Sequence, residues 1–388
     1  PLFIETLEKK KILYNSWTNL MSTKRDKFSS KDRNYMRLAL NLARARRGLT
    51  GNNPSVGCVI VKDDKIVSIG QTGLKGRPHA ESSAIKNSFH DLSGAKMYVT
   101  LEPCNHYGKT PPCTSSIIKS GINKVYYSLN DIDKKVRGKS FKILSNHNIK
   151  VKKGLLENES KDLYSSYIIN RVKKLPFVTG KIAVSKNKLI YSKGTKRITD
   201  QVSDKLSHYL RYKNDAIMIS SKTLNIDNPK LTCRLKGLEH FSPIRVILDK
   251  FLESDLSTHI MKSANKNNTI IFHNSLEKKK IMILQKKGIN LINSKLDSRK
   301  NFRLKMILKK LYKLGIRSLL VEGGEKITKS FLKNRLIDQF YLFKSPKNLS
   351  SYKKHLIFTS FNLLDKMYNK KSRLSFKLAK DVVTIYKK

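Results

Sequence analysis

The feature that most constrains this chain is a set of metal-binding side chains in one stretch of its first half. His79 and Glu81 stand two residues apart, Cys104 follows a Glu-Pro pair, and Cys113 follows two prolines. One imidazole and two thiols can bind the same metal ion only if the chain folds back to bring them together. Helix-like and strand-like segments alternate between them. The stretch therefore predicts an α/β unit whose ligands lie at strand ends and helix beginnings.

The residue types in this set indicate a hydrolytic zinc site. Such a site uses three protein ligands and leaves a fourth position for water, so we expect His79, Cys104 and Cys113 to bind Zn²⁺. The bound water loses its proton near neutral pH and attacks the amine-bearing carbon of a heteroaromatic ring. Glu81 is the expected acid/base group, which takes the water's proton, hands it to the ring nitrogen and, in a separate transfer, protonates the leaving ammonia. Asn53, in the loop before the first strand, is expected to hydrogen-bond to the ring.

The loop between the two cysteines refines this interpretation. His106 lies within it and is a rival metal ligand, although we favour a role beside the ligands or toward the substrate. Eight residues separate Cys104 from Cys113, whereas deaminases that modify nucleic-acid bases usually have two residues there. The longer polar loop favours a small ligand. The remaining cysteines, Cys58 and Cys233, are expected to be buried packing residues.

Composition limits the partners of this chain. Its 80 Lys and Arg against 29 Asp and Glu give a net charge of +51, which ordinarily suggests a polyanionic partner. The lysines are spread along the whole chain, however, so we expect no specific nucleic acid and keep a deaminase-fold protein that binds tRNA as an alternative. No run approaches the ~20 apolar residues of a membrane span, so no membrane partner is expected. The few cysteines favour a reducing compartment, most simply the cytoplasm.

The length of 388 residues predicts two domains. We interpret residues 1–31 as a basic N-terminal extension, 32–173 as the metal-binding domain and 174–388 as a second domain that begins near Pro176. Helices are predicted at 32–47, from 79, and at 114–120, 158–173 and 303–314, the first with Asp32 as its N-cap. Strands are predicted at 56–61, 65–70, 97–101, 125–129, 177–184, 216–219, 244–248, 269–272, 289–292, 318–321 and 340–343. This alternation predicts α/β domains with sheets covered on both faces.

From about residue 32 to its end, the sequence resembles the bifunctional riboflavin-biosynthesis deaminase/reductase family. The resemblance is carried by residues 53–61, 76–81 and 98–113, and the last of these is specific to that family. It implies a cytidine-deaminase-like α/β/α domain that acts on diaminohydroxyphosphoribosylaminopyrimidine. It also implies a following dihydrofolate-reductase-like α/β domain, which uses NADPH to reduce the ribose of the deaminated product. A homodimer acting on this small phosphoribosyl-pyrimidine is the expected assembly.

The same resemblance implies residue roles in the second domain. Residues 223–234 are similar to the family's Thr…Asp-x-Pro-x-Leu-Thr-x-Arg segment, and 321–324 match a strand end followed by two glycines. The implied substrate contacts come from Thr195, Arg211, Leu231, Arg234 and Glu322, with Arg234 suited to a phosphate. The implied cofactor contacts come from Ala183, Arg197, Thr223, Asp227, Gly323 and Gly324. The glycines would let backbone amides approach the cofactor phosphates.

The chain departs from the family pattern at three places. Lys186-Asn187-Lys188 stands where the family has Leu-Asp-Gly, and Asp131-Ile132-Asp133-Lys134 replaces Asp-Pro-Asn-Pro. Arg197 stands where the family has a tryptophan at the cofactor; it could contact the extra phosphate of NADPH, or the loss of the aromatic ring could weaken cofactor binding. These departures leave a second hypothesis open, in which only the deaminase is active and the second domain is structural.

Overall fold

The computed structural model describes residues 27–388, except Lys109, Lys135, Lys196, Lys353 and 375–377. Most of the predicted extension, 1–31, therefore lies outside the described residues. The chain divides into two compact units, which are described separately. The first comprises the described residues up to Arg46, together with Ser55–Gly73 and Arg77–Leu163; the second comprises Arg47–Pro54, Leu74–Gly76 and Tyr164–Lys388. The domain limits predicted from the sequence, 32–173 and 174–388, stay predictions.

The first unit is built on a five-stranded sheet. Its strands are β1 Gly57–Lys62, β2 Lys65–Gln71, β3 Lys96–Leu101, β4 Lys124–Leu129 and β5 Lys150–Lys153. They lie in the order β2-β1-β3-β4-β5. β1 is antiparallel to β2 and β3, whereas β3, β4 and β5 are parallel. β1, β3 and β4 are buried along most of their length, as expected for strands whose two faces are both covered.

Five helices accompany this sheet. They are α1 Ser30–Arg46, α2 Ala80–Lys86, α3 Cys113–Lys119, α4 Lys139–Asn146 and α5 Glu157–Leu163. α1 packs through Met36, Ala39, Leu40 and Ala43, all fully buried and spaced for one helix face. The predicted N-cap at Asp32 is wrong by three residues. Ser29 Oγ accepts from the Asp32 backbone N–H while an Asp32 carboxylate oxygen accepts from the Ser29 N–H, which is a reciprocal capping box.

The second unit is built on a nine-stranded sheet and a small antiparallel ribbon. The sheet order is β11-β10-β9-β8-β12-β6-β13-β16-β15, and β14 pairs with β7 in the ribbon. The strands are β6 Phe177–Val184, β7 Leu189–Ser192, β8 Ala216–Ser220, β9 Ile244–Leu248, β10 Thr269–His273, β11 Asn290–Asn293, β12 Ser318–Val321, β13 Gln339–Lys344, β14 His355–Ile357, β15 Lys370–Arg373 and β16 Val382–Lys387. Seven neighbouring strands, β11, β10, β9, β8, β12, β6 and β13, are parallel to one another. β16 pairs antiparallel with β13, and β15 pairs antiparallel with β16 at the edge of the sheet.

The helices of the second unit cover both faces of that sheet. They are α6 Ser165–Lys173, α7 Gln201–Tyr212, α8 Ser221–Asp227, α9 His259–Lys262, α10 Lys278–Lys286, α11 Leu304–Lys313, α12 Glu325–Lys333 and α13 Phe361–Met367, with short 3₁₀ turns at Leu74–Gly76 and Glu239–Phe241. Ala216 and Met218 of β8 join one apolar cluster while Ile217 and Ile219 join another, because alternate side chains point to opposite faces. Across the described ranges, no helix is apolar over a length that would cross a membrane.

Most elements predicted from the sequence are found within one or two residues, and the exceptions have physical causes. The single helix expected at 158–173 is two helices, α5 and α6, because Tyr164 between them has non-helical backbone angles. β15 was not predicted because its four residues are all exposed and show no apolar alternation. β5 and β15 each form one edge of their sheet, and both are rich in basic residues.

Candidate functional site

In the first unit, local backbone structure brings the three predicted metal ligands together. His79 is the N-cap residue of α2, Cys113 is the first residue of α3, and Cys104 follows the end of β3. His79 Nδ1 lies 3.5 Å from Cys104 Sγ and 3.4 Å from Cys113 Sγ. The backbone N–H of Cys113 donates to Cys104 Sγ at 3.3 Å, which suits a thiolate at that position. The ligand atoms of all three residues lie within 4.8 Å of one another.

These distances fit a tetrahedral zinc ion. With Zn–N of about 2.1 Å and Zn–S of about 2.3 Å, tetrahedral geometry separates the nitrogen and sulfur atoms by about 3.6 Å, close to both observed N–S distances. Within the part of the chain that the structure describes, this is the one group of His, Cys, Asp or Glu side chains close enough to hold a metal ion. His106 is exposed and does not belong to the group. The donor set and its spacing therefore both suit zinc.

A buried carboxylate fixes the chain beside Cys104. Glu102 is buried at the end of β3. Its two carboxylate oxygens accept backbone N–H groups from Asp131 at 3.2 Å, Gly138 at 3.0 Å and Ser140 at 3.3 Å. Ser140 Oγ also donates to the carbonyl of Pro103. Because Pro103 and Glu102 directly precede the ligand, these bonds hold Cys104 against the loop that begins at Asp131, where the chain departs from the family pattern.

Glu81 lies in the first turn of α2, two residues from His79, and is 4% exposed. Burial raises the pKa of its carboxyl group to about 7, and the nearby Cys104 acts in the same direction. Contacts with Cys113 and His79 lower the pKa of Cys104 to about 4, which favours the thiolate that a metal needs. The site therefore holds a carboxyl group that can gain and lose a proton near neutral pH, next to a set of metal ligands.

Asn53, predicted to contact the ring, belongs to the second unit in the segment Arg47–Pro54. Its Nδ2 donates to the carbonyl of Gly76 at 2.8 Å, and Thr50 Oγ1 donates to the backbone carbonyl of Asn53, also at 2.8 Å. The side-chain amide therefore fixes the local loop. Its predicted contact with a substrate ring stays a prediction.

In the second unit, a largely buried carboxylate is held by two cations. Glu322 lies directly after β12. Its Oε2 accepts a hydrogen bond from Arg211 Nε at 3.1 Å, and its Oε1 accepts one from Arg211 Nη2 at 3.0 Å. Lys181 Nζ, on the neighbouring strand β6, donates to Oε1 at 3.1 Å. Burial alone would raise the pKa of Glu322, but Arg211 and Lys181 together lower it to about 2. The carboxylate therefore stays charged at any physiological pH.

Arg211 and Glu322 were predicted to share a site, and the structure joins them directly. Lys181 was missed by the sequence analysis. The available signal was a lysine in the middle of β6, a strand whose other residues are mostly buried and apolar. A charge at such a position needs a partner, because a lone buried charge is costly.

The segment that follows α8 brings Leu231 and Arg234 near this ion cluster. Leu231 is buried in an apolar cluster, with a φ of 56° in the left-handed region. The backbone N–H of Arg234 donates to His208 Nδ1 at 3.2 Å, and Arg211 Nη1 donates to the Thr232 carbonyl at 3.3 Å. Burial lowers the pKa of His208 to about 4, so its ring stays neutral and can accept that bond. α7 thus fixes the segment that carries Arg234.

Three predicted cofactor residues line one open cleft of the second unit. The cleft has a volume of about 500 Å³, including solvent at its mouth, and Thr223, Asp227 and Gly324 lie on its wall. Gly324 is the N-cap of α12, whose first amides are free of helical partners. A Cβ added to Gly324 would meet Thr223 Oγ1 at 3.9 Å, an ordinary contact distance, so the space above this residue is open. The cleft therefore fits a phosphate-bearing ligand at a helix N-terminus.

The other predicted residues lie outside this wall. Ala183 and Gly323 are not among the residues that line the cleft, and a Cβ on Gly323 would meet Ile327 Cγ2 at 2.3 Å. Arg197 is half exposed, and its Nε lies 3.1 Å from Asp204 Oδ2. The backbone N–H of Thr195 donates to the carbonyl of Ser192, at the end of β7. Their contacts with ligands stay predictions.

The segment 186–188, whose sequence departs from the family pattern, still forms the turn between β6 and β7. Lys188 has a φ of 66°, in the left-handed region that glycine adopts most easily. Asn187 Oδ1 accepts Ser185 Oγ at 2.7 Å and the Leu349 backbone N–H at 3.1 Å, while its Nδ2 donates to the Leu349 carbonyl at 2.8 Å. The turn therefore survives without the glycine that the family resemblance leads one to expect.

Both halves of the chain match known protein families. Residues 29–129 match the cytidine and deoxycytidylate deaminase zinc-binding region, and residues 180–383 match the RibD C-terminal domain. The chain is 39% identical over 318 residues to the riboflavin biosynthesis protein RibD of Aquifex aeolicus. The matched region covers 81% of this chain and 87% of that protein. It is 34% identical over 318 residues to RibD of Actinobacillus pleuropneumoniae, covering 81% and 84% of the two chains.

Solved structures show the same similarity. A diaminohydroxyphosphoribosylaminopyrimidine deaminase/5-amino-6-(5-phosphoribosylamino)uracil reductase from Thermotoga maritima superposes with a TM-score of 0.76 at 33% identity, covering 92% of this chain and 98% of that one. RibD of Acinetobacter baumannii gives a TM-score of 0.77 at 27% identity, with the same coverage. The similarity therefore extends over most of this chain, and the two family matches fall at 29–129 and 180–383.

Proposed function

The chain belongs to the RibD family of bifunctional riboflavin-biosynthesis enzymes, and from that membership we propose which residues of each unit bind and convert the substrate. The family, the α/β fold class, the two activities and the zinc and NADPH cofactors predicted from the sequence are confirmed. We propose diaminohydroxyphosphoribosylaminopyrimidine as the substrate of the first unit, and its deaminated product as the substrate of the second. The observation that carries this proposal is the His79, Cys104 and Cys113 group at zinc-binding distances beside Glu81.

In the first unit, His79, Cys104 and Cys113 hold the zinc ion. Zinc, when bound, brings the pKa of a coordinated water close to neutrality. Glu81 would take a proton from the attacking water and give it to the ring nitrogen. It would then take a second proton, from the hydroxyl formed on the ring carbon, and give it to the amine, which leaves as ammonia. Its pKa of about 7 suits both directions of this transfer at neutral pH. The bonds that Glu102 accepts support Cys104 from behind, so the ligand geometry is set before substrate arrives.

In the second unit, the cleft beside Gly324 holds the dinucleotide. NADPH supplies the hydride that reduces the ribose of the deaminated product. Backbone amides at the start of α12 would bind the cofactor's phosphate oxygens, and Thr223 and Asp227, which line the cleft, would hydrogen-bond to its polar groups. Glu322, kept ionised by Arg211, accepts hydrogen bonds from N–H or O–H groups of the substrate. Arg234 binds the substrate phosphate.

One assay tests both activities. Purified protein is supplied with the diaminopyrimidine ribosyl phosphate and NADPH, and ammonia release and NADPH oxidation are followed together. We expect one ammonia per substrate, followed by oxidation of one NADPH. Ammonia release without NADPH oxidation would favour the hypothesis of a deaminase with a structural second domain. Absence of zinc and of ammonia release would contradict the proposed function itself.

We further propose a cytoplasmic homodimer without a specific nucleic-acid partner. All four cysteines are unpaired, which supports a reducing compartment. The long loop between Cys104 and Cys113 supports a small substrate rather than RNA. Sedimentation velocity would give the assembly state. Base-specific RNA binding at physiological salt would contradict the absence of a nucleic-acid partner, whereas salt-sensitive binding to heparin would reflect net charge alone.

A further inference from the structure

One aromatic residue lines the cleft and, among the described residues, has no hydrogen-bond, ring or cation partner for its side chain. Tyr191, on β7, is the single aromatic residue among the described residues that line the cleft. It is partly buried and pairs across the ribbon with Leu356 of β14. Within the described part of the chain, its hydroxyl joins no hydrogen bond, and its ring contacts neither another ring nor a cation. The cleft wall places aliphatic residues around Tyr191, and no polar or aromatic partner among the described residues fixes its ring.

Those neighbours form an apolar surface on one part of the cleft wall. Ile226 of α8 and Leu356 are 38% and 37% exposed, and both line the cleft with Tyr191. Exposed apolar groups bounded by polar groups typically mark a surface that a ligand covers. Thr223 and Gly324 provide the polar groups here. The cleft thus offers a polar part suited to sugar and phosphate, and an apolar part suited to a flat ring.

We propose that Tyr191 stacks on a heteroaromatic ring of the dinucleotide bound in this cleft. The inference rests on the proposed use of NADPH by the second unit. Both rings of that cofactor, the nicotinamide and the adenine, present a planar face that a phenol ring can cover, and a tyrosine loses little conformational freedom on binding. Tyr191 is a positioning and binding residue in this account, because stacking sets where the ring lies without transferring a proton or hydride.

Direct binding of NADPH to the full-length protein tests the proposal. Titration calorimetry would compare the wild type with Tyr191→Ala, Tyr191→Leu and Tyr191→Phe. Tyr352→Ala is the matched control, because Tyr352 is fully exposed and does not line the cleft. We expect the Kd for NADPH to rise about tenfold in the Ala and Leu variants, in line with the measured value of base stacking on aromatic side chains. Phe should restore binding to within about twofold, and Tyr352→Ala should bind as the wild type does.

The leucine variant separates stacking from packing. Leucine fills much of the space of the phenol ring but has no π face, so wild-type affinity in Tyr191→Leu would overturn the proposal. Unchanged affinity in Tyr191→Ala would overturn it as well. Thermal unfolding of each variant shows whether it is folded; if Tyr191→Ala is not, the leucine variant carries the test alone. A wild-type protein that does not bind NADPH would overturn the proposed cofactor itself, which is a different failure.

Cofactor fragments identify the ring. 2′-Phospho-ADP-ribose keeps the adenine half of NADPH, and reduced nicotinamide mononucleotide keeps the other half. If Tyr191 stacks on adenine, Tyr191→Leu should weaken binding of the first fragment about tenfold and leave the second unchanged; stacking on nicotinamide predicts the reverse. If the wild type and Tyr191→Leu bind the first fragment with the same Kd, and also bind the second fragment with the same Kd, stacking on either ring would be contradicted.

Discussion

The guanidinium of Arg211 makes two parallel hydrogen bonds to the carboxylate of Glu322, from Nε to Oε2 at 3.1 Å and from Nη2 to Oε1 at 3.0 Å. Lys181 Nζ adds a third bond, to Oε1. The side chains are 11%, 16% and 11% exposed for Arg211, Glu322 and Lys181, so solvent screens the three charges weakly. Two-point pairing also fixes the plane of the carboxylate. A charged acceptor of defined orientation therefore lies at the end of β12.

Removing that negative charge should destabilise the second unit. Glu322→Gln leaves Arg211 and Lys181 as buried cations without a counter-ion, and breaking a buried pair in this way costs about 3 to 5 kcal/mol. Urea unfolding of the full-length protein would measure the change. Asp365→Asn is the control, because Asp365 forms an exposed pair with Lys371 and such pairs contribute less than about 1 kcal/mol. Equal effects of the two substitutions would contradict the importance of the buried cluster.

The same carboxylate should make stability depend on acid pH. The pKa of Glu322 falls from an ordinary value of 4.5 to about 2 in the folded protein. A lowered pKa in a carboxylic acid gives stability that is fully present above the unfolded pKa and is lost as pH falls toward the folded one. We expect this contribution, about 3 kcal/mol, to decline between pH 4.5 and pH 2. The check is the difference in unfolding free energy between wild type and Glu322→Gln, which should narrow across that range.

Loss of one thiol should abolish tight metal binding. Cys104→Ser should weaken zinc binding by more than about 100-fold, because even loss of a hydrogen-bond partner of a ligand costs about 10- to 100-fold. Zinc content measured by mass spectrometry after dialysis against a chelator would show this. Cys233→Ser is the control, since Cys233 is a buried cysteine outside the ligand group. Equal zinc loss in both variants would mean that the cluster is not the metal site.

Glu81 should be required for ammonia release but not for zinc binding. Glu81→Gln keeps the size of the side chain and removes the base, so we expect a loss of about 10²- to 10⁴-fold in kcat with zinc retained. In the wild type, ammonia release should decline as pH falls below about 7, because the base is then protonated. Glu159→Gln, at an exposed position near Arg44, should leave both measurements unchanged. A Glu81→Gln protein with the wild-type rate would remove Glu81 from the mechanism.

The turn after β6 should become more stable if glycine is restored to it. A non-glycine residue in the left-handed region costs about 1 to 2 kcal/mol, and Lys188 has a φ of 66°. Glycine regains part of this cost but also adds freedom to the unfolded chain, so we expect Lys188→Gly to raise the unfolding free energy by about 0.5 to 1 kcal/mol. Lys186→Gly, two residues earlier, has no such strain to relieve and should be neutral or destabilising. Thermal unfolding of both variants distinguishes these outcomes.

The sequence was most informative where chemistry and local structure coincide. The metal ligands were predictable because zinc accepts few side-chain types, and because His79 and Cys113 begin helices whose starts are marked by Pro78 and Pro112. The ion cluster was only partly predictable. Lys181 lies on a strand that becomes a neighbour of Glu322 only through parallel pairing of β6 with β12. No pattern within either segment records that pairing, so the third charge became visible only in the folded chain.

The residues of the cleft were also only partly predictable from the sequence. Thr223, Asp227 and Gly324 were assigned through family resemblance, and they meet because β8 and β12 end side by side. Tyr191 carried no such signal, since a tyrosine on a short strand is an ordinary residue in sequence. Its position on the cleft wall depends on the β7–β14 ribbon, which was not predicted because β14 is short and largely exposed.

The basic edges of the two sheets bear on how this enzyme behaves at high concentration. β5 and β15 end their sheets with unpaired backbone groups, which could template pairing with a strand of another molecule. Each carries basic side chains along its length. A second copy approaching to the strand spacing of about 4.8 Å would bring like charges together. The basic side chains of β5 and β15 therefore disfavour edge-to-edge pairing of either strand with the same strand of a second copy.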